Sequence, residues 1–130
     1  MKDTFKAAVG ADALGDISCT HFGDSEAIVF VDISADGFTI VGKINNPLKQ
    51  TDDEGHASRK KLESAKKMLF DVTFIISGKM SPNFKKMRLE KGKMPIVTTR
   101  PLDETLTHLA ENLEDITAYF EDTKNIYLKV

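Results

Sequence analysis

The sequence of 130 residues contains one cysteine, Cys19, so the chain cannot form an internal disulfide bond. It also lacks long apolar runs: no segment approaches the roughly 20 apolar residues that a membrane-spanning helix needs. The amino terminus goes straight into structure without the apolar stretch of a signal peptide. A free thiol and the missing export signal together predict a cytoplasmic protein.

An excess of charge of one sign is missing as well. Eighteen basic and twenty acidic residues give a net charge of -2, which excludes a general attraction to nucleic acid or to an anionic membrane. The charges are nevertheless unevenly spread, because positions 59–93 hold eleven basic and three acidic residues. Positions 103–122 hold seven acidic residues without a lysine or arginine. We interpret the basic stretch as a solvated lysine face; attraction of an anionic cluster, of phosphates or of a neighbour's acidic side is the alternative.

The chain is short enough for one domain, and 41% apolar residues are sufficient for a single core. Runs of β-branched, aromatic and alternating residues predict strands, with Asp36-Gly37 as the turn of an antiparallel hairpin. Three- and four-residue apolar spacing predicts helices. Pro95 places its strand at the margin of the sheet. The predicted strands cover 4–9, 27–31, 38–44, 72–76 and 95–97, and the predicted helices cover 58–70, 81–92 and 101–116.

Strands alternate with helices in the second half of the chain, and this order requires parallel pairing with right-handed crossovers. Together with the antiparallel hairpin it predicts an α/β fold with a mixed five-stranded sheet and helices on both faces. This three-layer plan is that of the ribonuclease H-like fold. The predicted domain covers residues 1–122, and residues 123–130 form a tail that docks or adds a strand.

The run Cys19-Thr20-His21-Phe22-Gly23 carries the clearest chemistry. A thiol and an imidazole two positions apart in an extended segment point to the same side. The glycine that follows lets the backbone turn away from whatever they face. Thiolate and imidazole are ligands for iron, for zinc and for iron-sulfur clusters, so the run predicts the edge of a metal or cluster site.

Five features stand in an order that resembles the dinitrogenase iron-molybdenum cofactor biosynthesis family over about residues 5 to 118. They are His21-Phe22-Gly23 after the first strand, the Asp36-Gly37 hairpin, the Asn46-Pro47 strand end, the Gly55-His56 loop, and the loop with Gly78 and Ser81-Pro82-Asn83. The loop at 77–83 has fewer glycines than the family pattern, and therefore offers fewer free backbone amides to an anion.

The resemblance implies a non-enzymatic domain of nitrogen fixation that carries an iron-sulfur-type cluster or a precursor of the iron-molybdenum cofactor. The predicted metal ligands are Cys19 and His21, by their chemistry, and His56, whose loop the predicted sheet brings to the same end. The implied cofactor-binding residues are His21, Phe22, Gly23, His56, Gly78, Ser81 and Asn83. Proteins that donate or accept the cluster are the implied partners, and the domain would work as a monomer or a homodimer without nucleic acid or membrane.

Plainer interpretations stand beside these. Cys19 could be a packed small residue, the histidines could hydrogen-bond loops, and the segment 81–83 could simply cap a helix. A metal-free protein-interaction or regulatory domain of the same fold is the alternative function. The sequence argues against a nuclease, because the first strand carries no acid and Asp32 stands alone at the end of the second, whereas that chemistry needs several converging carboxylates.

Overall fold

The computed structural model describes residues 4–46, 67, 69–80 and 83–130. His56, Ser81 and most of the helix predicted over 58–70 lie outside the described residues. Within the described ranges, no helix combines the length and the apolar character needed to cross a membrane.

The described residues contain one mixed sheet of six strands in the order β3-β2-β1-β4-β5-β6. β2 is antiparallel to β1 and β3, whereas β1, β4, β5 and β6 are mutually parallel. The prediction of five strands is wrong by one, because the predicted tail supplies β6. The strands are β1 Phe5–Ala11, β2 Ala27–Ser34, β3 Gly37–Asn45, β4 Phe74–Ser77, β5 Met94–Val97 and β6 Leu128–Lys129.

The hairpin between β2 and β3 is confirmed, and its turn has a glycine where one is needed. Gly37 has a φ of 142°, a conformation that side chains of other residues rarely adopt. Farther along, Val31 pairs with Ile40 and Phe30 pairs with Gly42. Val41 is therefore an extra residue, a β-bulge in a strand that forms the edge of the sheet.

The prediction that Pro95 lies at the sheet margin is wrong, because β5 has β4 on one side and β6 on the other. The amides of Met94 and Thr98 donate to carbonyls on the β4 side. Since successive amides along a strand point to opposite sides, the nitrogen of Pro95 points toward β6. The ladder with β6 begins one residue later, at Ile96, so the proline removes no hydrogen bond.

Helices pack on both faces of the sheet, as predicted. Alternate residues of β1 separate the two cores: Ala7 and Val9 face one cluster and Ala8 the other. The first cluster contains residues of α2 (Leu102–Glu111) and α3 (Leu113–Tyr119). The second contains Phe84 of α1 (Asn83–Lys91) and the ring of Phe22.

The last predicted helix is divided into α2 and α3 at Asn112. This residue has φ -120° and ψ 24°, outside the helical range. Its side-chain amide and its backbone amide both donate to the carbonyl of His108, at 2.9 and 3.1 Å. The backbone bond is the regular helical bond that closes the last turn of α2, and the side-chain bond caps that turn.

Arg88, near the end of α1, holds the segment that leads into β6. Its guanidinium donates to the carbonyls of Asn125, at 3.0 Å, and of Phe120, and lies 5.2 Å from the centre of the Phe120 ring. Arg88 is only 9% exposed. It therefore belongs to the interior and not to the solvated basic face that the sequence predicts.

Candidate functional site

The parallel strands β1, β4 and β5 end at one edge of the sheet, where ligands commonly bind in α/β proteins. We call it the carboxyl edge and define it by the strand ends Ala11, Ser77 and Val97. The antiparallel strands bring the start of β2 and the end of β3 to the same edge. Segment 12–26, the loop after Ser77 and segment 98–101 therefore all begin or end there.

Two of the predicted site loops touch at this edge. A methyl group built on Gly78 would lie 2.2 Å from the carbonyl oxygen of Ser18 and 2.9 Å from Cα of Cys19. Both distances are shorter than van der Waals contact, and both neighbours are backbone atoms. The backbone of Gly78 thus packs directly on the segment that carries Cys19, an approach that requires glycine at this position.

The two described candidate ligands lie on the surface of this segment. Cys19 is exposed and is a free thiol. The His21 side chain is 38% exposed, and its Nδ1 lies 3.7 Å from Oδ2 of Asp24. Among the described residues, no three histidine, cysteine or acidic side chains are grouped to hold a metal ion. The ligand set of Cys19, His21 and His56 stays a prediction, since His56 lies outside the described part.

Phe22 and Gly23 form a short 3-10 turn with Asp24. Phe22 as a whole residue is 1% exposed, and it packs in the same cluster as Ile28 and Ile75. Its ring therefore anchors the turn in the core. Gly23 has open space where a side chain would stand, so its backbone is accessible. Of the loop after β4, Gly78 lies at the site and Asn83 begins α1, whereas Ser81 lies outside the described residues.

Asn46 is a residue of this edge that the sequence did not assign to the site. It follows β3 and is 4% exposed, and its side-chain Nδ2 lies 3.1 Å from the carbonyl oxygen of Phe22 and 3.0 Å from that of Ser25. The sequence did contain a signal for it, namely an asparagine at the end of a strand and directly before Pro47. When such a side chain is buried, its amide needs hydrogen-bond partners nearby.

Asp16 joins segment 12–26 to α2. Its Oδ1 accepts a hydrogen bond from the backbone amide of Leu102, the first residue of α2, at 2.9 Å. The same oxygen accepts one from the amide of Ile17 at 2.8 Å. A carboxylate at this place bonds an amide that has no partner within the helix. Its negative charge also interacts favourably with the positive end of the helix dipole. Asp16 thereby fixes the position of the loop relative to the second helical layer.

We expect Asp16→Ala to lower the free energy of unfolding by about 1 kcal/mol, the usual cost of losing a helix cap. Urea denaturation measures the change. The control is Glu111→Ala, an exposed acid at the far end of α2, which should change stability by less than about 0.5 kcal/mol. Equal effects of the two substitutions would contradict the capping role.

Among the described residues, the opposite edge of the sheet holds three groups with shifted pKa values. Lys6 lies near the start of β1, Asp71 precedes β4 and Lys93 precedes β5. A hydrogen bond from Lys6 at 3.0 Å lowers the pKa of Asp71 from 3.8, and the same contact raises the pKa of Lys6. Partial burial lowers the pKa of Lys93, whose ammonium donates to the carbonyls of Leu69, Phe70 and Val72.

The predicted acidic side is exposed. The seven acids in positions 103–122 are all exposed, on or directly after α2 and α3: Asp103, Glu104, Glu111, Glu114, Asp115, Glu121 and Asp122. In the basic stretch, Lys79, Lys85, Lys86 and Lys91 are exposed, whereas Arg88 and Lys93 bind backbone carbonyls. The two helical layers therefore carry opposite charge, and part of the basic stretch is structural.

Comparison with sequence models of known families identifies a relationship. The sequence model of the family described as dinitrogenase iron-molybdenum cofactor matches residues 5–112. A search of curated proteins finds no match. The matched range contains β1 to β5, the Cys19–Gly23 segment, Asn46 and Gly78, and therefore the whole described part of the carboxyl edge.

Proposed function

Because the chain belongs to the dinitrogenase iron-molybdenum cofactor family, we propose that it is a non-enzymatic carrier of an iron-sulfur-type cluster or of a precursor of the iron-molybdenum cofactor. The cargo would bind at the carboxyl edge. The observation that carries the proposal is the backbone contact of Gly78 with Ser18 and Cys19. This contact joins the segment with the candidate ligands to the loop that leads into α1.

The chemistry of the edge suits such a cargo. Cys19 and His21 offer a thiolate and an imidazole to iron, and His56 is proposed as a third ligand. Both described ligands are accessible from solvent. A site with only two or three protein ligands leaves coordination positions on the metal open. Release of the cargo to an acceptor requires such open positions. The loop of Gly78 and the first amides of α1 at Asn83 would face the negative charge of the cargo.

The fold of the carrier is proposed to be ribonuclease H-like. The strand order β3-β2-β1-β4-β5, with β2 antiparallel to its neighbours and helices on both faces, supports this assignment. The proposed partners are proteins that donate or accept the cluster. We propose the cytoplasm as the compartment, where a free thiol such as Cys19 stays reduced.

Anaerobic uptake of cargo tests the proposal. The protein is incubated with isolated iron-molybdenum cofactor, and in a separate arm with ferrous iron and sulfide, and is then passed through a desalting column. Visible absorption and iron per chain are measured. Wild type should retain colour and iron, and Cys19→Ala and His21→Ala should each weaken binding by about tenfold or more, as expected when a metal site loses a group.

The matched control is His108→Ala, which removes a histidine of α2 on the other helical layer and should leave uptake unchanged. A wild-type protein that stays colourless in both arms would overturn the proposal. Uptake that is the same in all three variants would show that the cargo binds elsewhere.

A metal-free interaction domain is the second candidate, and the seven exposed acids on one helical layer favour it. Such a surface fits a basic protein partner. A complex of this kind would form without iron and would weaken as salt is raised, because exposed charges are screened. A carrier would instead retain iron at high salt.

A further inference from the structure

The side chain of Asn46 is enclosed by oxygen atoms of the turn that follows His21. Its Nδ2 lies 3.1 Å from the carbonyl oxygen of Phe22, 3.3 Å from that of Gly23 and 3.0 Å from that of Ser25. The hydroxyl oxygen of Ser25 is a fourth acceptor, at 3.1 Å. The two amide hydrogens are therefore shared among four oxygens.

The turn is anchored by the buried Phe22 ring and by a bond of 2.8 Å from the Ser25 hydroxyl to the Phe22 carbonyl, but its own backbone hydrogen bonds are weak. The backbone bonds from Asp24 to His21 and from Ser25 to Phe22 are 3.0 and 3.3 Å long, and a single 3-10 turn has poor hydrogen-bond geometry. Asn46 in contrast is fixed from the sheet: its backbone amide donates to Glu26, and the preceding Asn45 pairs with Ala27. The amide thus ties the turn to strands that lie 21–24 residues away in sequence.

The direction of these bonds decides how strongly the turn repels an anionic cargo. A carbonyl oxygen carries partial negative charge, and an iron-sulfur-type cluster with its thiolate ligands is anionic. The oxygens of Phe22, Gly23 and Ser25 accept hydrogen bonds from a side chain that is 4% exposed, and so they point toward the interior. The outer side of the turn is left without these three repulsive oxygens.

We infer that Asn46 is a positioning residue for cargo binding, which turns three carbonyl oxygens inward and presents His21 and the backbone of Gly23 to an anionic cluster. This inference rests on the proposed function. Asn46 itself does not contact the cargo; it acts through the turn.

The test compares Asn46→Asp with Asn112→Asp. The first replaces the donating amide by a carboxylate that faces the carbonyl oxygens and repels them, so the turn opens. The second removes a side-chain amide that likewise donates to a backbone carbonyl, at 2.9 Å, but lies between α2 and α3. Affinity for isolated iron-molybdenum cofactor is measured by visible absorption at a temperature where circular dichroism shows each variant folded.

We expect Asn46→Asp to weaken cofactor binding by about tenfold or more, the usual size of an effect transmitted through a supporting hydrogen bond. The His21 imidazole resonances should shift, and the amides of Asp24 and Ser25 should exchange faster with solvent. Asn112→Asp should bind as wild type does. If Asn46→Asp does not fold, Asn46→Ser, which keeps one donor, takes its place with a smaller loss expected.

Three results would overturn the inference in distinguishable ways. Binding by the folded Asn46 variant that equals wild type would reject the positioning role while the carrier proposal stands. Unchanged exchange at Asp24 and Ser25 would show that Asn46 does not hold the turn. If wild type itself takes up no cofactor, the proposed function fails, and the inference about binding fails with it.

Discussion

Gly78→Ala is expected to lower the free energy of unfolding by about 3 kcal/mol, at the upper end of what forced overpacking costs. The added methyl would lie 2.2 Å from the Ser18 carbonyl oxygen and 2.9 Å from Cα of Cys19. Neither neighbour can rotate away as a side chain does, so one of the two loops has to move. Urea denaturation measures the loss, and uptake of iron-molybdenum cofactor by the folded fraction should fall with it.

The control is Gly42→Ala in the edge strand β3. A methyl group there meets no atom within 4 Å, and the backbone does not have a positive φ. Its effect should stay below about 0.5 kcal/mol. If both substitutions cost the same, the close approach of the two loops at the carboxyl edge is not what makes Gly78 sensitive.

Arg88→Ala is expected to lower the free energy of unfolding by about 3 kcal/mol. It leaves the carbonyls of Phe120 and Asn125 without their charged donor and removes the cation from the Phe120 ring. Denaturation measures the total. Hydrogen exchange at the amide of Val130, which donates to Val97 at 2.8 Å, reports whether the end of the chain detaches.

Lys85→Ala is the matched control, because Lys85 is an exposed basic residue on the same helix. It should change stability by less than about 0.5 kcal/mol and leave exchange at Val130 as in wild type. Slow exchange at Val130 in Arg88→Ala would show that β6 is held by the ladder to β5 alone.

The sheet core was predictable because its signals are local. Alternating apolar residues and the Asp36-Gly37 turn define β1, β2 and β3 within a residue or a few. The sequence left open whether the tail docks or adds a strand, since β6 has two residues. The segment before it is held by Arg88, which bonds to Phe120 and Asn125 at separations of 32 and 37 positions. The break at Asn112 was hidden because Leu109 and Leu113 continue the helical spacing across it.

The candidate site was also predictable in part, from the order of the strands. Parallel strand order brings the ends of β1 and β4 together, which is enough to place Cys19 near Gly78. The burial of Phe22 and the bonds of Asn46 depend on side chains that meet across more than 20 positions. A motif read along the chain marks Phe22 as part of the site, but packing decides that its ring belongs to the core.

The bulge at Val41 also matters for how the protein behaves when crowded. Among the residues that the structure describes, no strand pairs with the outer margin of β3, which is nine residues long and has Ile40 and Val41 about half exposed. A regular strand of this kind would be a template for intermolecular addition and fibre growth. The extra residue interrupts the regular spacing of amides and carbonyls midway along β3. A second chain added along this strand would lose its hydrogen-bond register there, and the outer margin of β3 therefore resists polymerisation.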